Sequence, residues 1–313
     1  MSRVSVARRT GGDAITTRKS LQSVLRERIL VADGAMGTML QAAGLQPGTP
    51  PELWNRENPD AVRAVHAAYV QAGADIILTN SFGGSRVKLQ RSGLADDAAH
   101  LCRLSAEIAR QEAGDSVFVF GSMGPTGELM RPLGLLTFEE AKDAFAEQAA
   151  ALAAGGADAI LVETMADLQE GRAAIEGAHS GCSLPVICTF SFDRGQRTMM
   201  GVTAADLASL WNNELLAIGA NCGHSLDDTL AVIDQLRTLL PDATLMAKPN
   251  AGVPRLGEDG KTHFDVGPEE MAKFAIRYLE KGVRIIGGCC GSTPEHISRI
   301  ASVVRKASRT NGG

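Results

Sequence analysis

At 313 residues with 44% hydrophobic content, the chain can bury a full core, either as two average domains or as one α/β barrel; no linker interrupts it, which favours the barrel. The formal net charge of −5, with basic residues scattered beyond the N-terminus, gives no case for nucleic acid or an anionic membrane as partner. No apolar run reaches the roughly 18 residues needed to span a bilayer, and six cysteines without small-domain spacing point to a reducing, cytoplasmic setting.

The first segment, 1–22, carries Arg3, Arg8, Arg9, Arg18 and Lys19 against the single acid Asp13. It reads as a disordered tail; a transit peptide shares this composition, but no apolar helical face is visible. From there short apolar runs alternate with longer amphipathic ones. Strands are expected at 29–32, 75–79, 117–121, 158–162, 185–190, 216–221, 244–249 and 283–288, and helices at 59–72, 96–113, 137–154, 167–179, 203–213, 226–239, 268–281 and 294–307. Eight strand-then-helix units predict a (β/α)8 TIM barrel over 23–308, followed by a flexible C-terminus at 309–313. The phrases QAGAD, AAGGAD and EKGVR each precede a strand, as if one helix-to-strand turn were reused.

Polar and glycine-rich residues gather after the strands: DGAMGT at 33–38, TNSFGG at 79–84, GSMGPTG at 121–127, and Glu163 with Thr164. In a barrel these ring one mouth and favour a small-molecule site. Alone, Asp33 and Gly34 are only a turn and Glu163 a helix cap. Together, two acids at the ends of the first and fourth strands suit a substrate ammonium, and the backbone N–H groups of 34–38 suit its carboxylate, the needs of an α-amino acid. Trp54, in TPPELWNRENP, either covers the mouth or offers its π face to a cationic methyl donor. Phe82, Phe190 and Phe192 are further candidates for the mouth, and Trp211 reads as packing.

The stretch VRIIGGCCGSTPEH at 283–296 ends a β-branched run on two glycines and adjacent cysteines. Thr293 and Pro294 then mark a helix start. Cys222, in LLAIGANCGHS, has the same strand-exit setting, so Cys222, Cys289 and Cys290 together form a candidate three-thiolate zinc site with one position open for a substrate sulfur. The plainer reading, cysteines as small buried hydrophobes, stays open on spacing alone. His224 is a rival ligand, though a lone loop histidine is more often a hydrogen-bonding residue. Cys102, Cys182 and Cys188 read as structural.

DGAMGT, GADIILTNSF at 73–82, GPTG at 124–127, ET at 163–164, NC at 221–222 and GGCCGSTPEHI at 287–297 together resemble the zinc-dependent homocysteine S-methyltransferase family, whose branches include betaine:homocysteine methyltransferases and the homocysteine module of cobalamin-dependent methionine synthase. The resemblance implies Zn2+ held by Cys222, Cys289 and Cys290, with a zinc-bound homocysteine thiolate as the catalytic nucleophile. It also implies homocysteine contacts from Asp33, Gly34, Ala35, Gly37, Thr38 and Glu163. Trp54, Phe82 and Asn80 are the candidate donor-binding residues. The expected product is methionine, with glycine betaine or a related onium compound as donor. The alternatives are S-methylmethionine, a methylcorrinoid or methylfolate supplied by a separate protein such as a corrinoid protein, and a non-enzymatic zinc-binding scaffold.

Overall fold

The computed structural model describes residues 19–212, 214–257 and 262–310; most of the expected N-terminal tail, and 311–313 of the expected C-terminal one, lie outside these. Eight parallel strands form one sheet: β1 (Leu30–Val31), β2 (Ile76–Leu78), β3 (Phe118–Met123), β4 (Ala159–Met165), β5 (Val186–Phe190), β6 (Leu215–Cys222), β7 (Leu245–Pro249) and β8 (Val283–Ile286). Neighbours follow chain order from β2 to β8, β8 then pairs with β1, and a parallel bridge between Ala32 and Ile76 closes the ring. This is the expected (β/α)8 barrel.

Alternation within the strands builds two apolar layers. Leu30, Ile76, Phe118, Phe120, Leu161, Ile187, Met246 and Ile285 fill the barrel interior, while Val31, Ile77, Val119, Ile160, Val186, Ile218, Leu245 and Ile286 pack outward against the helices. Strands buried on both faces read as continuous apolar runs, which is why their positions were visible in the sequence. Leu21, Val24 and Leu25, from a helix that already begins at Leu21, join the interior cluster.

The reused turn is real. Gly73, Gly156 and Gly282 all have positive φ (96°, 98° and 73°), a conformation open to glycine at little cost. In the first two phrases the following aspartate reaches the neighbouring strand, Asp75 accepting from Val31 N–H and Asp158 from Val119 N–H. The helices match expectation closely except at 203–213, where the helix is only Ala204–Ala208. There the Ser209 hydroxyl donates to the Asp206 carbonyl, local competition that favours ending a helix. Three short helices in the mouth loops, Met36–Ala42, Trp54–Glu57 and Arg86–Gln90, are additional.

Candidate metal centre and substrate cavity

The inward-facing row of each strand changes character near its C-terminal end. Two residues beyond interior Phe120 stands Ser122, beyond Leu161 stands Glu163, beyond Ile187 Thr189, and beyond Met246 Lys248; Asn221 ends the same row on β6. All five are buried polar residues. The period of two that fills the core thus also stacks a polar layer on top of it.

On that layer lie the three thiols. Sγ atoms of Cys222, Cys289 and Cys290 are all within 4.8 Å of one another. Cys222 follows inward-facing Asn221 and would point away in a regular strand, but it takes φ 54° and brings its sulfur to 2.6 Å from that of Cys289. A left-handed non-glycine residue costs of order 1–3 kcal/mol and is found where a site requires it. The Cys289 N–H donates to Pro249 O and the Cys290 N–H to Asn250 Oδ1. Behind the loop, His296 accepts from Thr293 N–H at Nδ1, so its Nε2–H donates to Val266 O.

The donor set fits a tetrahedral soft metal. With bonds of about 2.3 Å, three thiolates on zinc stand about 3.8 Å apart, so Cys222 and Cys289 would part by roughly 1 Å on binding. Their separation is too long for a disulfide, whose S–S bond is about 2.05 Å. Hydrogen bonds from Cys222 and Cys289 push the Cys290 thiol down to about 3, and donating to the other two sulfurs raises Cys222. Full ionisation of three sulfurs this close calls for a cation among them. His224 is not part of the group.

Asn221 binds this cluster to three strands. Its carbonyl accepts from Thr164 N–H at 2.8 Å and Thr189 Oγ–H at 2.7 Å, and its amide nitrogen faces Thr164 Oγ1 at 2.6 Å and the sulfurs of Cys222 and Cys289 at 3.6 and 3.8 Å. Thr164, with φ 61°, is the second left-handed non-glycine residue, and it sits across from Cys222.

A cavity of about 500 Å³ opens over the thiols. Gly34, Ala35, Gly37, Thr38, Asn80, Phe82 and Glu163 line it together with the three cysteines. Asp33 does not reach the wall; its carboxylate accepts from Leu78 N–H at 2.7 Å and from Lys248 Nζ at 3.1 Å. Burial alone would lower Lys248, but Asp33 and Glu163 outweigh it and hold it charged. Lys248 thus lies between two acids, of which Glu163 is the one on the wall. Burial pushes Glu163 up to about 7, against the pull of Lys248, and the Ser122 hydroxyl donates to it.

Trp54 packs against the helix-side core and is not among the wall residues. Phe190 and Phe192 are fully buried in that same core. Lys248 and Glu52, both on the wall, were missed by sequence reasoning. The signal for Lys248 was a single charge inside the apolar run TLMAKP; Glu52 stood two residues from the Trp54 that drew attention.

The family model described as homocysteine S-methyltransferase matches residues 30–304. Methionine synthases of Mycobacterium leprae and Mycobacterium tuberculosis are each 33% identical, across 91% and 96% of this chain. The chain spans about a quarter of their length, 25% and 26%. The metallated form of the homocysteine methyltransferase MmuM from Escherichia coli superposes with a TM-score of 0.74 at 26% identity, covering 90% of this chain and 99% of that one. With a matched family model over nearly its whole barrel and the cysteine cluster at the mouth, the chain belongs to the homocysteine S-methyltransferase family.

Proposed function

We propose that the protein is a zinc-dependent homocysteine S-methyltransferase that forms methionine, with glycine betaine or a related onium compound as methyl donor. The observation that carries this reading is the convergence of three thiols on one cavity whose wall also holds Glu163 and residues 34–38. Cys222, Cys289 and Cys290 would hold the zinc, which when bound acts as a Lewis acid that keeps a substrate thiol ionised at neutral pH.

The chain's own residues supply orientation. Glu163 takes the substrate ammonium, while Lys248 keeps Asp33 neutralised so that one acid, not two, is offered on the wall. The backbone at 34–38 faces the substrate carboxylate. The homocysteine sulfur then attacks a methyl carbon of the donor: the S–C bond forms, the C–N bond breaks, and its electron pair stays on nitrogen, giving methionine and dimethylglycine. Opposite charges vanish together in this step, so a cavity low in water favours it.

A second reading has the methyl group delivered from a methylcorrinoid or methylfolate by a separate protein, and the 33% identity to methionine synthases favours it. S-methylmethionine is a third donor. A zinc scaffold without turnover has no use for the Glu163 and Lys248 arrangement. The deciding experiment is methionine formation from homocysteine by zinc-loaded protein with glycine betaine as sole donor. Turnover abolished by Cys222→Ala supports the onium reading; homocysteine binding without turnover moves the donor to a carrier protein.

A further inference from the structure

We infer that the outer part of the cavity reads both ends of a zwitterionic donor, Glu52 facing the methyl-bearing cation and Lys88 holding the carboxylate; this rests on the onium reading above.

Glu52 sits on the turn Pro51–Leu53, is 3% exposed and lines the cavity. One of its oxygens accepts from Gly83 N–H at 2.6 Å; the charge of Lys88 also reaches it, though no ion pair at contact distance is formed among the described residues. Burial pushes the Glu52 carboxyl up against the pull of its N–H donors and Lys88, and its charged form is costly this deep unless a closer cation arrives. Phe82, on the same wall, lies flat enough on Gly124 that any β-carbon there would strike its ring. An acid and an aromatic ring together suit an onium group.

Lys88 is the complementary feature. Three cationic side chains line the cavity: Lys248 is paired with Asp33 and Arg91 with Glu128, whereas Lys88 has no ion-pair partner among the described residues. Its stem passes Gly83, where a β-carbon would stand 3.5 Å from Cγ and 3.1 Å from Glu52 Oε1, and its ammonium lies against Gly127, 2.6 Å from where a β-carbon would be. Glu52 and Lys88 thus meet at Gly83, where their charges act on each other without forming an ion pair. A donor with a cation at one end and an acid at the other satisfies both; one with only a cation satisfies half.

The test uses three compounds of one shape: glycine betaine, choline, which lacks the carboxylate, and 3,3-dimethylbutanoate, which lacks the cation. The KM of zinc-loaded protein for betaine and the inhibition constants of the other two are measured in wild type, Lys88→Met and Glu52→Gln, the latter retaining an acceptor for Gly83. Lys88→Met is expected to weaken betaine and dimethylbutanoate by roughly 10- to 100-fold, the size of one charge-assisted hydrogen bond, and to leave choline unchanged. Glu52→Gln is expected to weaken betaine and choline but not dimethylbutanoate, and the KM for homocysteine stays constant in both. Equal weakening of all three compounds, or of none, overturns this inference while the onium reading stands. If wild type binds homocysteine but turns over no onium donor, both fall.

Discussion

Lys248 Nζ stands 3.1 Å from Asp33 Oδ1 with each side chain only 2% exposed, an ion pair joining β7 to the loop after β1 beneath the cavity floor. Such a pair need not stabilise the fold relative to apolar residues, but either half alone is expensive. Lys248→Met is therefore expected to lower unfolding free energy by about 3–5 kcal/mol, and Lys248→Met with Asp33→Leu to recover much of that. Denaturant midpoints of the two single variants and the double variant check it; an additive double variant contradicts the coupling.

Removal of one thiol should empty the metal site. Cys222→Ala leaves two sulfurs, too few for a closed structural or open catalytic zinc. Elemental analysis after dialysis is expected to give close to one zinc per chain in wild type and close to none in the variant. Zinc retained at full stoichiometry would mean that a residue outside the trio binds it.

Asn221 offers N–H to two sulfurs, and hydrogen bonds of this kind orient ligands and tune their charge. Asn221→Leu is expected to weaken metal affinity by roughly 10- to 100-fold and to shift the thiolate-to-metal charge-transfer band of the cobalt-substituted protein. An unchanged band with merely lower thermal stability would assign Asn221 to strand packing instead.

His66 is fully buried, with neither ring nitrogen bonded, and burial pushes it down to about 4. The unfolded chain takes up this proton near pH 6.5 and the native chain does not, so acidification favours unfolding. The His66 contribution is complete above pH 6.5 and falls by about 3 kcal/mol as pH drops to 4, at about 1.4 kcal/mol per pH unit. Subtracting the stability curve of His66→Leu from that of wild type should isolate this slope; parallel curves would show that His66 does not titrate with unfolding.

The barrel was legible because its strands are apolar on both faces over most of their length and several helix-to-strand turns carry a glycine, as at Gly73 and Gly156. The cysteine trio was legible because Cys222 and the Cys289–Cys290 pair share a strand-exit setting. Lys248 was not, since its partner Asp33 lies 215 positions away and only ring closure brings them together. Trp54 shows the opposite case: its residue type suggested a role, but it packs against the core from the helix Trp54–Glu57 while Glu52 lines the cavity. Residue type marks chemistry well when the backbone direction is fixed by a strand, and poorly in a long loop.

The place of β8 ties the thiol cluster to closure of the ring. It lies between β7 and β1, so residues 283–286 are the piece that joins the two ends of the sheet. Cys289 and Cys290 follow directly, so the three thiols come together only when this strand is seated between its two neighbours. Chemistry that needs all three sulfurs at once therefore waits for the ring to close, and before that Cys222 is one thiol on an unfinished wall.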